Sequence, residues 1–188
     1  MSHRINVLSN FVSKEDCSLA IDLLNKYNKE NKLIEFSGNH TVFVAPETPE
    51  VVELVRKYCM LLNEEHRKHN GFIPKLYTTE AYLSMWQKGS SAGLHFDSHK
   101  NYEFLEFASV IYLNEDFVGG KLLFPNQKYI YTPKSGDAVI FPCGGSEYLH
   151  SVSEVKEGFR YTIVMWHTSR GRISKVFNTF PSTPLSSK

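Results

Sequence analysis

The chain has 188 residues, of which 41% are hydrophobic and 22% charged, and its formal net charge is +1. A domain of this size can bury a substantial core, and the composition excludes disordered and collagen-like chains. The near-neutral balance excludes a protein that grips a nucleic-acid backbone through bulk positive charge. Eight histidines stand out, because a buried imidazole needs a partner.

No apolar run approaches the roughly 18 residues needed to cross a bilayer. The opening stretch, Met1 to Phe11, has no apolar core behind a basic head, so neither a leader nor a membrane anchor is expected. Cys17, Cys59 and Cys143 are odd in number and far apart, without a CxxC pair. They are expected to be reduced, buried thiols of an intracellular, cytoplasmic protein.

In chain order, residues 1–71 read mainly as helical. Ser13 with Glu15 and Asp16 forms a capping pattern ahead of Leu19, Ile21, Leu23 and Leu24. A second helix is predicted from Thr48, with Pro49 in its first turn, to a stop at Gly71. Between the helices, residues 33–36 and 41–44 read as short strands. From Phe72 the texture changes to β-rich runs punctuated by Gly, Pro and Asn: residues 79–86, 94–97, 107–113, 121–124, 129–132, 137–141 and 159–167. Helices first and strands after predict an α+β fold, with the helices packed on one sheet. One domain is expected over residues 1–172, its barrel core at about 72–168, followed by a tail over 173–188. Arg170, Arg172 and Lys175 lie at or near the start of that tail, which reads as a surface segment.

Among the histidines, His3, His40, His66, His69 and His167 read as surface residues. His95 and His150 differ. His95 and Asp97 stand two apart in a strand-like run, so their side chains project to one face about 6–7 Å apart. His150 follows the turn around Gly144 and Gly145 and opens another such run. Two imidazoles and one carboxylate from two strands leave three positions open on an octahedral metal, the facial triad of non-haem Fe(II) oxygenases. Alone, an HxD pair also arises as a satisfied surface pair.

Arg160 follows His150 by ten residues. Alternation along its strand puts Phe159, Tyr161, Ile163 and Met165 on one face, suited to the helices, and Arg160, Thr162, Val164 and Trp166 on the other. An arginine on that second face is either solvated at an edge, paired with an internal glutamate, or waiting for an anion that a guanidinium can grip with two hydrogen bonds.

Taken together these residues resemble the 2-oxoglutarate- and Fe(II)-dependent dioxygenases, and within them the prolyl 4-hydroxylase group. The resemblance rests on residues 5–13, the His95-Phe96-Asp97 motif, and Val110 to Asn114 followed by Gly119 to Pro125. It is completed by His150 to Val152, Gly158 to Tyr161, and Trp166. It implies a double-stranded β-helix, a jelly-roll barrel buttressed by helices. It further implies that His95, Asp97 and His150 hold Fe(II), and that Arg160 and Tyr112 hold the far carboxylate of 2-oxoglutarate. O2 would take the last metal site, with ascorbate as a reductant. The implied reaction hydroxylates an unactivated C–H, best a prolyl residue in a peptide or protein, and releases succinate and CO2. Trp86 stands where prolyl hydroxylases usually carry a tyrosine, nine residues before His95, and is placed at the cosubstrate. His99, Tyr102 and Trp166 are candidate substrate contacts at the mouth.

Three other readings are compatible with parts of this pattern. A cupin-like metal-binding barrel would need the ligands but not Arg160 and Tyr112. An oxygenase acting on a nucleobase or a free amino acid keeps the chemistry, but the net charge and the lack of a second arginine on the closing strand disfavour nucleic acid. A zinc hydrolase would want a general base, and none stands at a definable spacing.

Overall fold

The computed structural model describes residues 5–36, 39–43, 48–69, 76–98, 100 and 102–170. The predicted tail over 173–188, His3 and His99 lie outside these residues, as do the side chains of His66 and His69.

The chain opens with β1 (Asn6–Leu8), then α1 (Lys14–Lys29), β2 (Ile34–Phe36), β3 (Asn39–Phe43) and α2 (Pro49–His69). The strand-rich part follows with β4 (Tyr77–Trp86), β5 (Ala92–His95), β6 (Phe107–Tyr112), β7 (Val118–Gly119), β8 (Leu122–Phe124) and β9 (Tyr129–Tyr131). It ends with β10 (Ala138–Pro142), β11 (His150–Val152), β12 (Val155–Glu157) and β13 (Arg160–Thr168). Ser13 caps α1 as predicted, its hydroxyl accepting from the Asp16 amide at 3.1 Å.

Seven strands form one antiparallel sheet in the order β1-β10-β6-β13-β4-β3-β2, and four form a facing sheet, β5-β11-β8-β9. The helices cover the outer face of the larger sheet: Leu24, Val55, Tyr58 and Leu62 pack with Leu83, Ile111, Ile163 and Met165. A second apolar cluster fills the space between the sheets. Val110, Tyr112, Val139 and Phe141 come from the larger sheet and Leu122, Phe124, Tyr131 and Val152 from the smaller. The alternation read along β13 follows from this two-sided burial. Ile163 and Met165 face the helices, while Arg160 and Trp166 face the interior.

The two helices are also tied electrostatically. Lys57 donates to Asp16 at 2.5 Å and the Tyr58 hydroxyl donates to the same carboxylate. These hydrogen bonds, that of Lys57 first, hold the Asp16 carboxyl below its usual range. A lowered folded value means the contribution is complete above the unfolded value and disappears as pH falls through the folded one. Asp16→Asn is therefore expected to lower the melting temperature at neutral pH by the equivalent of about 1 kcal/mol, with the gap to wild type closing in acid. Thermal melts at several pH values read this directly.

Several expectations need correction. The strand predicted over 94–97 ends at His95, and Asp97 lies in a bend, because the chain leaves the sheet there. Phe159 precedes β13 and is 47% exposed instead of facing the helices. His40 is half-buried within β3 instead of lying at the surface in a turn. His167 is fully buried, since β13 continues to Thr168 and the alternation that turns Ile163 and Met165 toward the helices turns His167 the same way, while a register shift on β4 brings Thr78 opposite it. Its two ring nitrogens meet the hydroxyls of Thr78 at 3.1 Å and Ser109 at 2.8 Å. The two-residue strand β7 and its partner β12 were not foreseen.

Candidate active site

Strand pairing brings His95 and His150 together. β5 and β11 run antiparallel with these two residues directly opposite, at the ends of both strands. Their ring centroids are 4.3 Å apart. Beyond His95 the chain bends, and the Ser98 amide donates to the Cys143 carbonyl at 3.0 Å, which fixes the path carrying Asp97. The Asp97 carboxylate then reaches both imidazoles: Oδ1 lies 3.8 Å from His95 Nε2, and Oδ2 lies 3.8 Å from His150 Nε2. These separations are too long for hydrogen bonds, so the three groups converge without satisfying one another. Their ligand atoms all lie within 4.8 Å of one another.

The second nitrogen of each ring sets its tautomer. His95 Nδ1 lies 2.7 Å from the Gly93 carbonyl, and His150 Nδ1 lies 3.0 Å from the Tyr148 carbonyl. A carbonyl can only accept, so each Nδ1 carries the hydrogen and each Nε2 turns a lone pair toward Asp97. His150 is buried against Phe141 and Phe124, with centroids 4.8 and 5.7 Å away. Burial, partly opposed by Asp97 and helped by His95, lowers its pKa and favours the neutral, ligating form. The donor set of two imidazole nitrogens and one carboxylate suits a divalent transition metal.

These groups open into a cavity of about 330 Å³ between the two sheets. Its lining includes Trp86, Val110, Phe141, Arg160 and Val164, together with Tyr82, Tyr102 and Trp166. Of the residues singled out from the sequence, His95, Asp97, His150, Arg160, Trp86, Tyr102 and Trp166 all line this cavity. Tyr112 is fully buried behind the wall, with its ring centroid 5.1 Å from the guanidinium carbon of Arg160. Burial raises its phenol pKa, while Arg160 opposes the shift.

At this end several polar atoms are buried without a hydrogen-bond partner: Arg160 Nε, Tyr112 Oη, Thr162 Oγ1 and Ser84 Oγ. Ser84, Thr162 and Tyr112 form a row across β4, β13 and β6, each opposite the next. Arg160 is 2% exposed and takes no part in the ion pairs among the described residues. Orphaned buried polar atoms are rare in folded proteins and mark a place where a polar ligand or water completes the site. Ser84 and Tyr82 escaped the sequence reading. The alternation that places Trp86 inward places both on the same face, and this signal could have found them.

The family model described as the 2OG-Fe(II) oxygenase superfamily matches residues 80–168, the stretch that contains His95, Asp97, His150 and Arg160. The match covers 89 of the 188 residues, and within it the chain is similar to the 2OG-Fe(II) oxygenase superfamily. Its relatives narrow the likeness to prolyl hydroxylases. Prolyl 3-hydroxylase 3 of Mus musculus is 38% identical over 72 residues, 36% of this chain and 10% of that protein. Prolyl 3-hydroxylase 1 of Gallus gallus is 37% identical over 79 residues, 39% of this chain and 11% of that protein. The matched region thus spans about a tenth of the length of these curated relatives.

Solved structures share the fold over most of the chain. A Pseudomonas putida prolyl-4-hydroxylase matches with a TM-score of 0.73 and 18% identity, covering 90% of this chain and 95% of that one. The viral collagen prolyl hydroxylase of Paramecium Bursaria Chlorella virus-1 gives 0.69 and 19%, covering 87% and 94%. A Trichoplax adhaerens prolyl hydroxylase, solved with a hypoxia inducible factor oxygen degradation domain peptide fragment, gives 0.74 and 13%, covering 92% and 86%. The double-stranded β-helix with helices on its larger sheet is therefore the fold of this chain. No described helix is long and apolar enough to cross a membrane.

Proposed function

We propose that the chain is an Fe(II)- and 2-oxoglutarate-dependent dioxygenase that hydroxylates a prolyl residue of a peptide or protein, with residues 1–172 as its catalytic domain. One observation carries this reading. A buried guanidinium without a carboxylate partner opens into the same cavity as a converging His-Asp-His set. A barrel that only stored metal would have no use for a desolvated cation at the closed end of its cavity.

The residues present fit the groups this reaction needs. His95, Asp97 and His150 would hold Fe(II), with Asp97 supplying the anionic ligand. Arg160 would hold the distal carboxylate of 2-oxoglutarate, and the hydroxyls of Tyr112 and Thr162 would give otherwise orphaned hydrogen bonds to the same end. Iron bound there supplies oxygen activation, coupled to conversion of 2-oxoglutarate to succinate and CO2. The protein's own work is to orient the cosubstrate between the ligand set and Arg160, and to keep the closed end dry through Val110, Val164 and Leu122. Tyr102, 44% exposed, and Trp166 stand at the mouth as substrate contacts. The Trp166 indole N–H is buried without a partner there and would donate to a substrate carbonyl.

The test has two stages. Anaerobic addition of 2-oxoglutarate to the Fe(II)-loaded protein should develop a weak visible charge-transfer band. Aerobic incubation with a proline-containing peptide array, with and without ascorbate, should then give succinate together with a hydroxylated peptide detected by mass spectrometry. Fragmentation and synthetic standards distinguish position 3 from position 4 of the ring. Absence of the band and of succinate would overturn the oxygenase reading, whereas succinate with unmodified peptides would move the substrate elsewhere.

A further inference from the structure

Reading Arg160 as the carboxylate clamp leaves open what holds the clamp. A long, flexible arginine that must be ordered each time it grips a ligand binds weakly, and one whose rotamers are already fixed binds tightly. Among the described residues no carboxylate pairs with Arg160, and its Nε has no hydrogen-bond partner. The packing around it supplies a restraint.

The packing is specific. In the β13–β4 ladder Arg160 lies directly opposite Trp86, and its guanidinium carbon is 4.7 Å from the Trp86 ring centroid. The second aromatic wall, Tyr112, comes from β6, which flanks β13 on its other side. A third wall is made by an absence. Gly120 sits at φ +58°, and a Cβ there would stand 2.8 Å from Arg160 Cδ and 2.9 Å from the Phe117 ring. The aliphatic stem occupies the slot that the missing side chain leaves. Indole is the best of the aromatic faces for a guanidinium, and desolvation strengthens the attraction. Trp86 is itself 8% exposed.

We propose that Trp86 is a positioning residue that acts on 2-oxoglutarate through Arg160, holding the guanidinium plane so that its hydrogen-bonding edge faces the ligand. The inference rests on the clamp reading above. It also gives a meaning to tryptophan at a place where a phenol is usual. The indole supplies a flat wall, and the orphaned hydroxyls of Tyr112 and Thr162 supply the hydrogen bonds.

Calorimetric titration of 2-oxoglutarate into the Mn(II)-loaded protein without oxygen tests this apart from turnover. Trp86→Phe, which keeps an aromatic face, should bind within about threefold of wild type, and Trp86→Leu about tenfold more weakly. Mn(II) affinity without 2-oxoglutarate should be the same in all three proteins. Trp86→Met serves as a second non-aromatic variant of similar bulk should the leucine protein fold poorly, and Gly120→Ala should weaken binding by crowding the stem. Wild-type affinity in the non-aromatic variants would overturn the proposal, as would a loss of Mn(II) affinity in step with the loss of 2-oxoglutarate affinity. A wild-type protein that binds no 2-oxoglutarate at all would instead sink the clamp reading on which it stands.

Discussion

Asp97→Ala is expected to abolish iron-dependent succinate formation, lowering turnover by more than about 10³-fold, which corresponds to over 4 kcal/mol of lost transition-state stabilisation. The argument is one of charge and count. His95, Asp97 and His150 make up the whole cluster of metal-competent groups found among the described residues, and Asp97 is its anion. Two imidazoles in adjacent strands would remain, one of them exposed, and such a pair without an anionic ligand retains a divalent ion poorly. Folding should survive, because Asp97 makes no hydrogen bond to either imidazole at 3.8 Å and lies in a bend outside the sheet. Metal content after dialysis and the anaerobic visible band read the loss at the metal, and a melting curve checks the fold. Alanine at His95 or His150 should have the same outcome. Full iron-dependent succinate production by any of the three variants would show the ligand assignment to be wrong.

Arg160→Ala should weaken 2-oxoglutarate binding by about 10²–10³-fold. Removing one partner of a buried charged pair costs roughly 3–5 kcal/mol, at 1.4 kcal/mol per tenfold. The ligand-free protein gives a sharper discrimination. If Arg160 were the partner of an internal glutamate, deleting it would destabilise the fold. The structure shows no such partner among the described residues, so Arg160→Met should leave the ligand-free melting temperature unchanged or raise it, by relieving an unpaired buried charge. Arg160→Lys keeps the charge but not the planar fork, and should lie between the two in affinity. An unchanged binding isotherm in Arg160→Ala would remove the clamp.

Much of this site was legible in the chain because two rules of sheet geometry act over short distances. Alternation fixed the face of Arg160 and Trp166, and it works along β13 because one side meets helices and the other an apolar interior. The same rule anticipates the convergence of His95 and Asp97, but by a different route from the one the structure takes. The strand ends at His95, and convergence is made by the bend and by the Ser98–Cys143 hydrogen bond, a contact across 45 residues that no local pattern announces. His167 departs from its expected surface position for a related reason. Its burial depends on Thr78 and Ser109, hydroxyls on two other strands, which make a buried imidazole acceptable. Trp86 was placed at the cosubstrate, but its contact with Arg160 depends on strand register, which only the assembled sheet reveals.

The division of labour between the sheets has a mechanical consequence. β5 and β11, which carry the histidines, belong to the four-stranded sheet, whereas Arg160, Trp86 and Tyr112 belong to the seven-stranded one. Metal alone would therefore rivet strands already hydrogen-bonded to each other. A dicarboxylate reaching from the metal to Arg160 would join two layers that otherwise cohere through apolar contact and a few hydrogen bonds such as that of Tyr131 to Asp137. Melting temperature should rise with Mn(II) by an amount set by its concentration over its dissociation constant, little with 2-oxoglutarate alone, and further with both, the added gain approaching about 2.7 kcal/mol at a hundred times the dissociation constant of 2-oxoglutarate. Scanning calorimetry of the four states would read this, and additive shifts would mean that the two halves of the barrel are not coupled. Protection from proteolysis should follow the same order, so the loaded barrel would resist opening and the empty one yield between its layers.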